Sequence, residues 1–210
     1  MQKHPLRRGL YLITPDGRDP TWLLKRILPV LPYASCLQLR NKTMPADALR
    51  DYARNLRTVC TEAGVTFIVN DDARLALDVA ADGVHLGKHD VAIADARDLL
   101  GETAIIGASC YDDLALAQAA VDAGADYVAF GAFFPSPTKP SAQRASISLL
   151  RAAASLQVTR VAIGGITPDN ARSVIAAGAD LIAVISGVFD APDPIAATRA
   201  YLSCFEEPSA

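Results

Sequence analysis

The chain has 210 residues, of which 51% are hydrophobic and 20% charged, and it carries a formal charge of −3 at pH 7. This composition excludes a disordered chain, which would combine low hydrophobicity with high net charge, and disfavours a general nucleic-acid binder, which needs a basic face. The length suits one large domain or two small ones. Aromatic residues contribute only 6%, which favours an α/β protein with aliphatic strands and alanine-rich helices.

The sequence also limits the expected location and partners of the protein. No apolar stretch at the N-terminus predicts a signal peptide, and no run of about 18 apolar residues predicts a membrane span. Four scattered cysteines, at Cys36, Cys60, Cys110 and Cys204, favour reduced thiols over a disulfide framework. We therefore expect a cytoplasmic protein without membrane or nucleic-acid partners, and the sequence leaves open whether it forms a homo-oligomer.

Eight short aliphatic or β-branched runs alternate with longer helical patterns along the chain. The predicted strands are residues 10–14, 36–40, 66–70, 83–86, 104–107, 127–131, 160–163 and 181–184. The predicted helices are residues 46–62, 112–123, 146–155, 168–177 and 193–205. Asp112 and Thr167 are expected N-terminal caps, while Gly64, Gly124 and Gly178 are expected to end helices.

Eight βα units of about 26 residues each approach the lower size limit of a (β/α)8 barrel, so we predict a single TIM-barrel domain over residues 1–210. An open doubly wound sheet is the alternative, but it typically carries a glycine-rich loop after the first strand, where this chain has Pro15 and Asp16. The tetrad Ala-Gly-Ala-Asp at 123–126 and 177–180, with a weaker echo at 80–83, predicts recurring helix-to-strand turns.

In a βα barrel the functional residues lie at the carboxyl ends of the strands. After the second predicted strand, alternation places Gln38 and Arg40 on one face and Leu39 on the other, and Asn41 and Lys42 follow. A polar pair of this kind, followed by a lysine, indicates a binding role. A solvated strand end is the alternative interpretation.

Two carboxylates follow neighbouring strands, Asp71 after the third and Asp90 after the fourth. An oxygen-rich pair suits Mg²⁺, whereas Zn²⁺ would favour histidine or cysteine ligands. One acid of the Asn70–Asp72 segment is expected to cap the next helix, and Asp90 is a second candidate cap. We interpret His85, within the fourth strand, as a packing residue rather than a catalytic one.

The later strands are followed by small and anion-binding residues. Gly107 would let the backbone approach a ligand after the fifth strand, and Ser109 supplies a hydroxyl. The longest loop, residues 132–145, is typical of a functional loop, although an unliganded surface loop is the alternative. Its anion-binding candidates are Ser136, Thr138 and Lys139.

Gly165 after the seventh strand, with Ile185 and Ser186 after the eighth, fits the phosphate site of many barrels, where backbone N–H groups at a helix start bind the anion. Tight turns are the alternative. Three of the five lysines fall on the same predicted face: Lys42, Lys88 and Lys139. Together these residues indicate a site for two phosphorylated molecules, with Mg²⁺ and cations stabilising a departing diphosphate.

Seven motifs, in order along the chain, resemble those of the thiamine-phosphate synthase family. They are QLRNK from residue 38, NDD from 70, DGVHLGKHD from 82, GAS from 107, FGAFFPSPTKP from 130, AIGGIT from 162 and VISGVF from 184. The resemblance implies an alkyl transferase that joins an aminomethylpyrimidine diphosphate to thiazole phosphate. The diphosphate would leave first, and the thiazole nitrogen would capture the resulting pyrimidine carbocation.

The resemblance also implies roles for individual residues. The magnesium ligands would be Asp71 and Asp90. The pyrimidine diphosphate would be bound by Gln38, Leu39, Arg40, Asn41, Lys42, Asn70, Ser109 and Lys139. The thiazole phosphate would be bound by Ser136, Pro137, Thr138, Gly165, Ile185 and Ser186. The catalytic residues would be Arg40, Lys42, Ser109 and Lys139.

Two positions depart from the family pattern, since Lys88 stands where the family often has glutamine and Ser136 where threonine is common. Two other functions compete with the synthase. A thiazole tautomerase of the same barrel family would need proton transfer but no departing diphosphate, so it would leave the charged residues unexplained. A non-catalytic barrel that binds a phosphorylated ligand is the third candidate.

Overall fold

The computed structural model describes residues 6–135 and 144–206 of the chain. Its strands are β1 (Gly9–Ile13), β2 (Ala34–Leu39), β3 (Thr66–Asn70), β4 (Gly83–Leu86), β5 (Ile105–Tyr111), β6 (Tyr127–Phe130), β7 (Thr159–Ile163) and β8 (Leu181–Val184). All eight are parallel and pair in chain order, and β8 pairs with β1 to close the barrel. The predicted (β/α)8 barrel is therefore confirmed.

Helices surround this barrel. They are α1 (Pro20–Ile27), α2 (Ala46–Ala63), α3 (Ala73–Asp78), α4 (Ile93–Leu100), α5 (Leu114–Asp122), α6 (Ile147–Ala152), α7 (Pro168–Ala176), α8 (Ser186–Phe189) and α9 (Pro194–Leu202). Short 3₁₀ turns cover Leu31–Tyr33, Ala153–Leu156 and Ser203–Phe205. None of the described helices is long and apolar enough to cross a membrane.

The helix ends follow the expected chemistry, with one correction. Gly64 ends α2 in the left-handed conformation, at φ 66°, and Thr167 forms a reciprocal capping box with Asn170 at the start of α7. Asp112 does not cap α5. Asp113 does, because its extended backbone lets its carboxylate accept hydrogen bonds from the amides of Ala115 and Leu116.

The apolar side chains form two layers, one inside the barrel and one between the sheet and the helices. The interior layer consists of Tyr11, Ile13, Cys36, Tyr127, Ala129, Val161, Leu181 and Ala183. The outer layer takes the alternate strand residues, such as Leu10, Leu12 and Leu39, and the inner faces of the helices. This division follows from the period-two alternation of a strand that is covered on both faces.

The aspartates of the recurring tetrads join neighbouring strands at the amino-terminal end of the barrel. Asp82, Asp126 and Asp180 each immediately precede an even-numbered strand. Each carboxylate accepts a backbone N–H at 2.8–2.9 Å from the preceding odd-numbered strand. Each carboxylate also pairs with an arginine, which is Arg97 at 2.6 Å in the case of Asp126. The repeated sequence thus encodes a repeated strand connection.

Replacing Asp126 with alanine is expected to lower the free energy of unfolding by about 2–3 kcal/mol, because the Ile106 amide and the Arg97 guanidinium lose a shared charged acceptor. Asp51 is the matched control, since its carboxylate pairs with Arg54 but is 76% exposed, and its replacement should cost less than about 1 kcal/mol. Chemical denaturation of both variants checks this. An Asp126 variant as stable as the Asp51 variant would contradict the structural role.

Candidate active site

Asp16, which follows β1, holds the basic segment that follows β2. Gln38 points into the barrel and is 2% exposed, whereas Leu39 packs in the outer layer, so the predicted alternation is confirmed. The Arg40 guanidinium pairs with the Asp16 carboxylate, which also accepts the Lys42 backbone N–H at 2.8 Å. Asp16 was not predicted, because its partner lies 24 residues away; the only sequence signal is an acid just beyond a strand end.

Side chains after the first two strands also set the backbone of this segment. Thr14 Oγ1 accepts the Arg40 N–H at 2.8 Å and donates to the Arg40 carbonyl at 2.9 Å. The Asn41 side-chain oxygen accepts the N–H groups of Thr43 and Met44, so it closes the loop before α2. The described contacts of Asn41 are therefore those of a turn residue.

The two predicted metal ligands lie together beyond β3 and β4. Burial and the neighbouring Asp90 carboxylate raise the pKa of Asp71, and Lys42, whose Nζ lies 3.4 Å from Asp71 Oδ2, partly opposes this. Asp71 has φ 65°, and its N–H donates to the His85 carbonyl at 2.8 Å, which fixes its backbone. Two acids that follow neighbouring strands thus lie beside each other beyond the strand ends, as predicted.

Asp72, which follows the pair member Asp71, and Asp90 itself both make structural contacts. Asp72 caps α3, since its carboxylate accepts the Leu75 N–H at 2.9 Å. Asp90 does not cap α4, which begins after Ala92; its carboxylate instead accepts the Gly87 N–H at 2.7 Å and closes a turn. Hydrogen bonding to this amide holds the Asp90 carboxylate beside Asp71.

The donor set of this acid pair fits Mg²⁺. Burial and the neighbouring Asp90 carboxylate raise the pKa of Asp71, and a divalent cation held by both carboxylates would relieve their repulsion. Magnesium commonly uses one or two carboxylates together with waters and substrate phosphates. Within residues 6–135 and 144–206 no group of three or more histidine, cysteine or acidic side chains could hold a metal.

A hydrogen-bonded row of side chains crosses the barrel beneath this site. His85 Nε2 lies 2.9 Å from Ser109 Oγ, and His85 Nδ1 lies 2.9 Å from the Tyr127 hydroxyl. The Tyr127 hydroxyl is 2.7 Å from that of Tyr11, which receives a hydrogen bond from Gln38 Nε2 at 2.8 Å. Sequence reasoning found the two ends of this row but missed both tyrosines.

Gly107 leaves room for the Tyr127 ring of this row. A Cβ at Gly107 would lie 1.9 Å from the Tyr127 ring, so glycine is required for the ring to reach His85. The space beside Gly107 that the sequence predicts to admit a ligand is thus filled by the Tyr127 ring, and β5 continues past this residue to Tyr111.

His85 is expected to make the stability of the protein depend on acid. Burial lowers its pKa to about 4, below its usual value of about 6.5, so only the unfolded chain gains a proton between these values. The free energy of unfolding should therefore fall by about 2–3 kcal/mol as pH drops from 7 to 4.5. Denaturant titrations at several pH values should show a smaller fall in the free energy of unfolding for His85→Gln, while His89→Gln, at an exposed position, should match the wild type. An equal dependence of the free energy of unfolding on pH in the two variants would refute this.

A glycine turn follows β7 and packs against the segment that follows β6. Gly165 has φ 64°, and a Cβ there would lie 2.3 Å from the Pro135 carbonyl oxygen. The Phe134 N–H donates to the Gly164 carbonyl at 3.0 Å, and Asn170 Nδ2 donates to the Gly165 carbonyl at 3.0 Å. The segment before residue 136 is thus packed against the turn that the sequence predicts to bind phosphate.

The short helix α8 follows β8 directly. Its first residue is Ser186, and Ile185 precedes it, so the first N–H groups of the helix have no intrahelical acceptor. At the other end, the Arg26 guanidinium donates to the carbonyls of Phe189, at 2.6 Å, and Ala191. The predicted site residues of the long loop, Ser136, Pro137, Thr138 and Lys139, lie outside the described residues.

These features define a (β/α)8 barrel with a candidate active site at the carboxyl ends of its strands, as in enzymes of this fold. A family model described as thiamine monophosphate synthase matches residues 10–188. Thiamine-phosphate synthase from Xanthomonas campestris pv. campestris (strain 8004) is 56% identical over 200 residues, which cover 95% of this chain and 97% of the relative. The corresponding protein of Azoarcus sp. (strain BH72) is 56% identical over 204 residues, covering 94% and 97%.

Solved structures agree with these relatives. Thiamine phosphate pyrophosphorylase from Pyrococcus furiosus superposes with a TM-score of 0.84 at 35% identity, covering 95% of this chain and 96% of that one. A 3-hexulose-6-phosphate synthase superposes with a TM-score of 0.71 at 16% identity, over 94% and 100% of the two chains, which shows a shared fold alone. The chain belongs to the thiamine monophosphate synthase family. The predicted family and enzyme class are therefore confirmed.

Proposed function

We propose that this protein transfers the 4-amino-2-methylpyrimidin-5-ylmethyl group from its diphosphate to thiazole phosphate, giving thiamine phosphate and pyrophosphate. The observation that carries this proposal is the meeting of the Asp71–Asp90 pair with Lys42 at the strand ends. A carboxylate pair beside a cation suits a metal-bound diphosphate. A thiazole tautomerase would have no use for this combination.

The basic residues would hold the diphosphate and stabilise the charge that develops as it departs. Asp16 pairs with the Arg40 guanidinium and fixes the backbone of Lys42, so the guanidinium is oriented before the substrate arrives. Asp71 and Asp90 would hold Mg²⁺, which when bound would neutralise part of the charge on the departing diphosphate. We assign the same task to Lys139.

The pyrimidine ring would lie over the barrel mouth. Gln38 from β2 and Ser109 from β5 are fixed by the row of hydrogen bonds below and would orient the ring. Leu39, Asn41 and Asn70 complete the proposed pyrimidine-diphosphate site. Since burial keeps His85 neutral by lowering its pKa to about 4, we assign no proton transfer to it, in line with a reaction driven by leaving-group departure.

The thiazole phosphate would be bound across the ends of β7 and β8. Gly165 brings its backbone close to residues 134–135, and the start of α8 at Ile185 and Ser186 offers N–H groups to an anion. Ser136, Pro137 and Thr138 would complete this site from the loop. With the phosphate fixed there, the thiazole nitrogen could reach the carbon that loses the diphosphate.

The expected setting is cytoplasmic, with the two small-molecule substrates as partners and with a homo-oligomer left open. All four cysteines are buried and unpaired, which is consistent with a reducing compartment.

The direct test incubates the purified protein with both substrates and Mg²⁺ and measures thiamine phosphate and pyrophosphate. We expect both products in equal amounts, a complete loss with EDTA and recovery on adding excess Mg²⁺. Absence of product, or formation that EDTA does not reduce, would overturn the proposal. Conversion of the thiazole without pyrophosphate release would instead favour the tautomerase.

A further inference from the structure

Five side chains from five strands form one continuous row of hydrogen bonds across the barrel. From one end to the other they are Gln38, Tyr11, Tyr127, His85 and Ser109. The link between the two tyrosines crosses the barrel interior, because β1 and β6 are not neighbours in the closed sheet. The row therefore connects two proposed substrate-binding residues that lie on opposite sides of the barrel mouth.

We infer the direction of donation along this row from its first member. Gln38 Nε2 donates to the Tyr11 oxygen, and the remaining partner that the structure describes for the Tyr11 hydroxyl is the Tyr127 oxygen at 2.7 Å, so we direct the Tyr11 proton to that oxygen. The Tyr127 proton is then directed to His85 Nδ1 at 2.9 Å. A neutral imidazole that accepts at Nδ1 carries its proton on Nε2 and donates from there.

The last link determines what Ser109 can offer to a ligand. His85 Nε2 lies 2.9 Å from Ser109 Oγ, and with the proton on Nε2 the serine oxygen is the acceptor. The Ser109 hydroxyl proton is then free to point towards the barrel mouth. At the other end, Gln38 uses its amide nitrogen inside the row, which leaves its side-chain carbonyl oxygen as an acceptor.

We propose that Tyr11, Tyr127 and His85 are positioning residues that fix Ser109 as a hydrogen-bond donor and Gln38 as an acceptor towards the aminopyrimidine ring. This inference rests on the proposed function. A 4-aminopyrimidine ring carries one donor, the amino group, and acceptors at its two ring nitrogens, one of which lies across the ring from the carbon that bears the amino group. A site whose two ends are fixed as one acceptor and one donor matches that ring and disfavours a ring with the opposite pattern.

Packing supports a dedicated arrangement rather than an incidental contact. The rings of His85 and Tyr127 are stacked, with centroids 5.5 Å apart and an interplanar angle of 21°. Gly107, which lies between them in strand register, has no side chain to obstruct the Tyr127 ring. Both tyrosine hydroxyls are buried and fully engaged within the row.

The first test reads the histidine directly. In the ¹⁵N-labelled full chain, long-range proton–nitrogen correlations should show His85 with its proton on Nε2, and the signal is assigned by its loss in His85→Gln. A proton on Nδ1 would reverse every donor in the row and overturn the inference.

The second test breaks the row without removing a ring. Tyr127→Phe should raise the KM for the pyrimidine diphosphate about 10-fold and leave the KM for thiazole phosphate within about 2-fold, because only one substrate meets Gln38 and Ser109. The His85 signal should become a mixture of tautomers. Tyr52→Phe is the matched control, since the buried Tyr52 hydroxyl has no partner among the described residues, and its kinetics should match the wild type.

The outcomes separate the inference from the function on which it rests. A Tyr127→Phe enzyme with a lower melting temperature but an unchanged ratio of the two KM values would show a merely structural role and overturn the inference. If the wild type formed no thiamine phosphate, the proposed function would fail, and the row would still be judged by the His85 tautomer.

Discussion

Replacing Asp71 with asparagine is expected to lower turnover at least about 100-fold, because the variant would lose one of the two proposed ligands of the Mg²⁺ that stabilises the departing diphosphate. Asparagine keeps the shape of the side chain and tolerates the left-handed backbone at φ 65°. The change therefore removes a charge and little else. Steady-state kinetics over a range of Mg²⁺ concentrations should also show that the variant needs at least about 10-fold more Mg²⁺ than the wild type for half-maximal activity.

Asp72 provides the matched control for this experiment. It follows Asp71 directly, but its carboxylate caps α3 through the Leu75 N–H. Asp72→Ala should lower the free energy of unfolding by about 1 kcal/mol and leave kcat and the Mg²⁺ requirement near those of the wild type. An active Asp71→Asn enzyme with a normal metal requirement would remove Asp71 from the proposed metal site.

The barrel was predictable because each strand is a short aliphatic run bounded by turn residues, and because its order follows the chain. Helices α1, α3 and α4 were not predicted, since eight residues or fewer give too few turns for a 3.6-residue period to stand out. The end of β5 was also missed, since Ser109 and Tyr111 interrupt its apolar run.

The acid pair was predictable from topology alone. Asp71 and Asp90 follow adjacent parallel strands, so a correct strand order brings them together without knowledge of any distance. The same argument could not predict the ion pair between Asp16 and Arg40 or the hydrogen bond between Tyr11 and Tyr127. These contacts depend on side-chain direction and reach across 24 and 116 residues of sequence, and tyrosines in strands ordinarily indicate packing.

Gly165→Ala is expected to raise the KM for thiazole phosphate about 10-fold or more while leaving the KM for the pyrimidine diphosphate near its wild-type value. The added Cβ would lie 2.3 Å from the Pro135 carbonyl oxygen and 2.6 Å from that of Phe134. Both neighbours are backbone atoms, so the strand-end segments must move apart. That movement would displace the N–H groups proposed to bind the phosphate.

Gly64→Ala separates this steric effect from backbone strain. Gly64 has φ 66°, nearly the same as the 64° of Gly165, but a Cβ there would meet nothing within 4 Å. Both variants should lose about 1 kcal/mol of stability from the left-handed conformation, whereas only Gly165→Ala should change the KM for thiazole phosphate. If both variants bound thiazole phosphate equally well, the turn after β7 would not be part of the phosphate site, and the start of α8 would have to bind the anion without it.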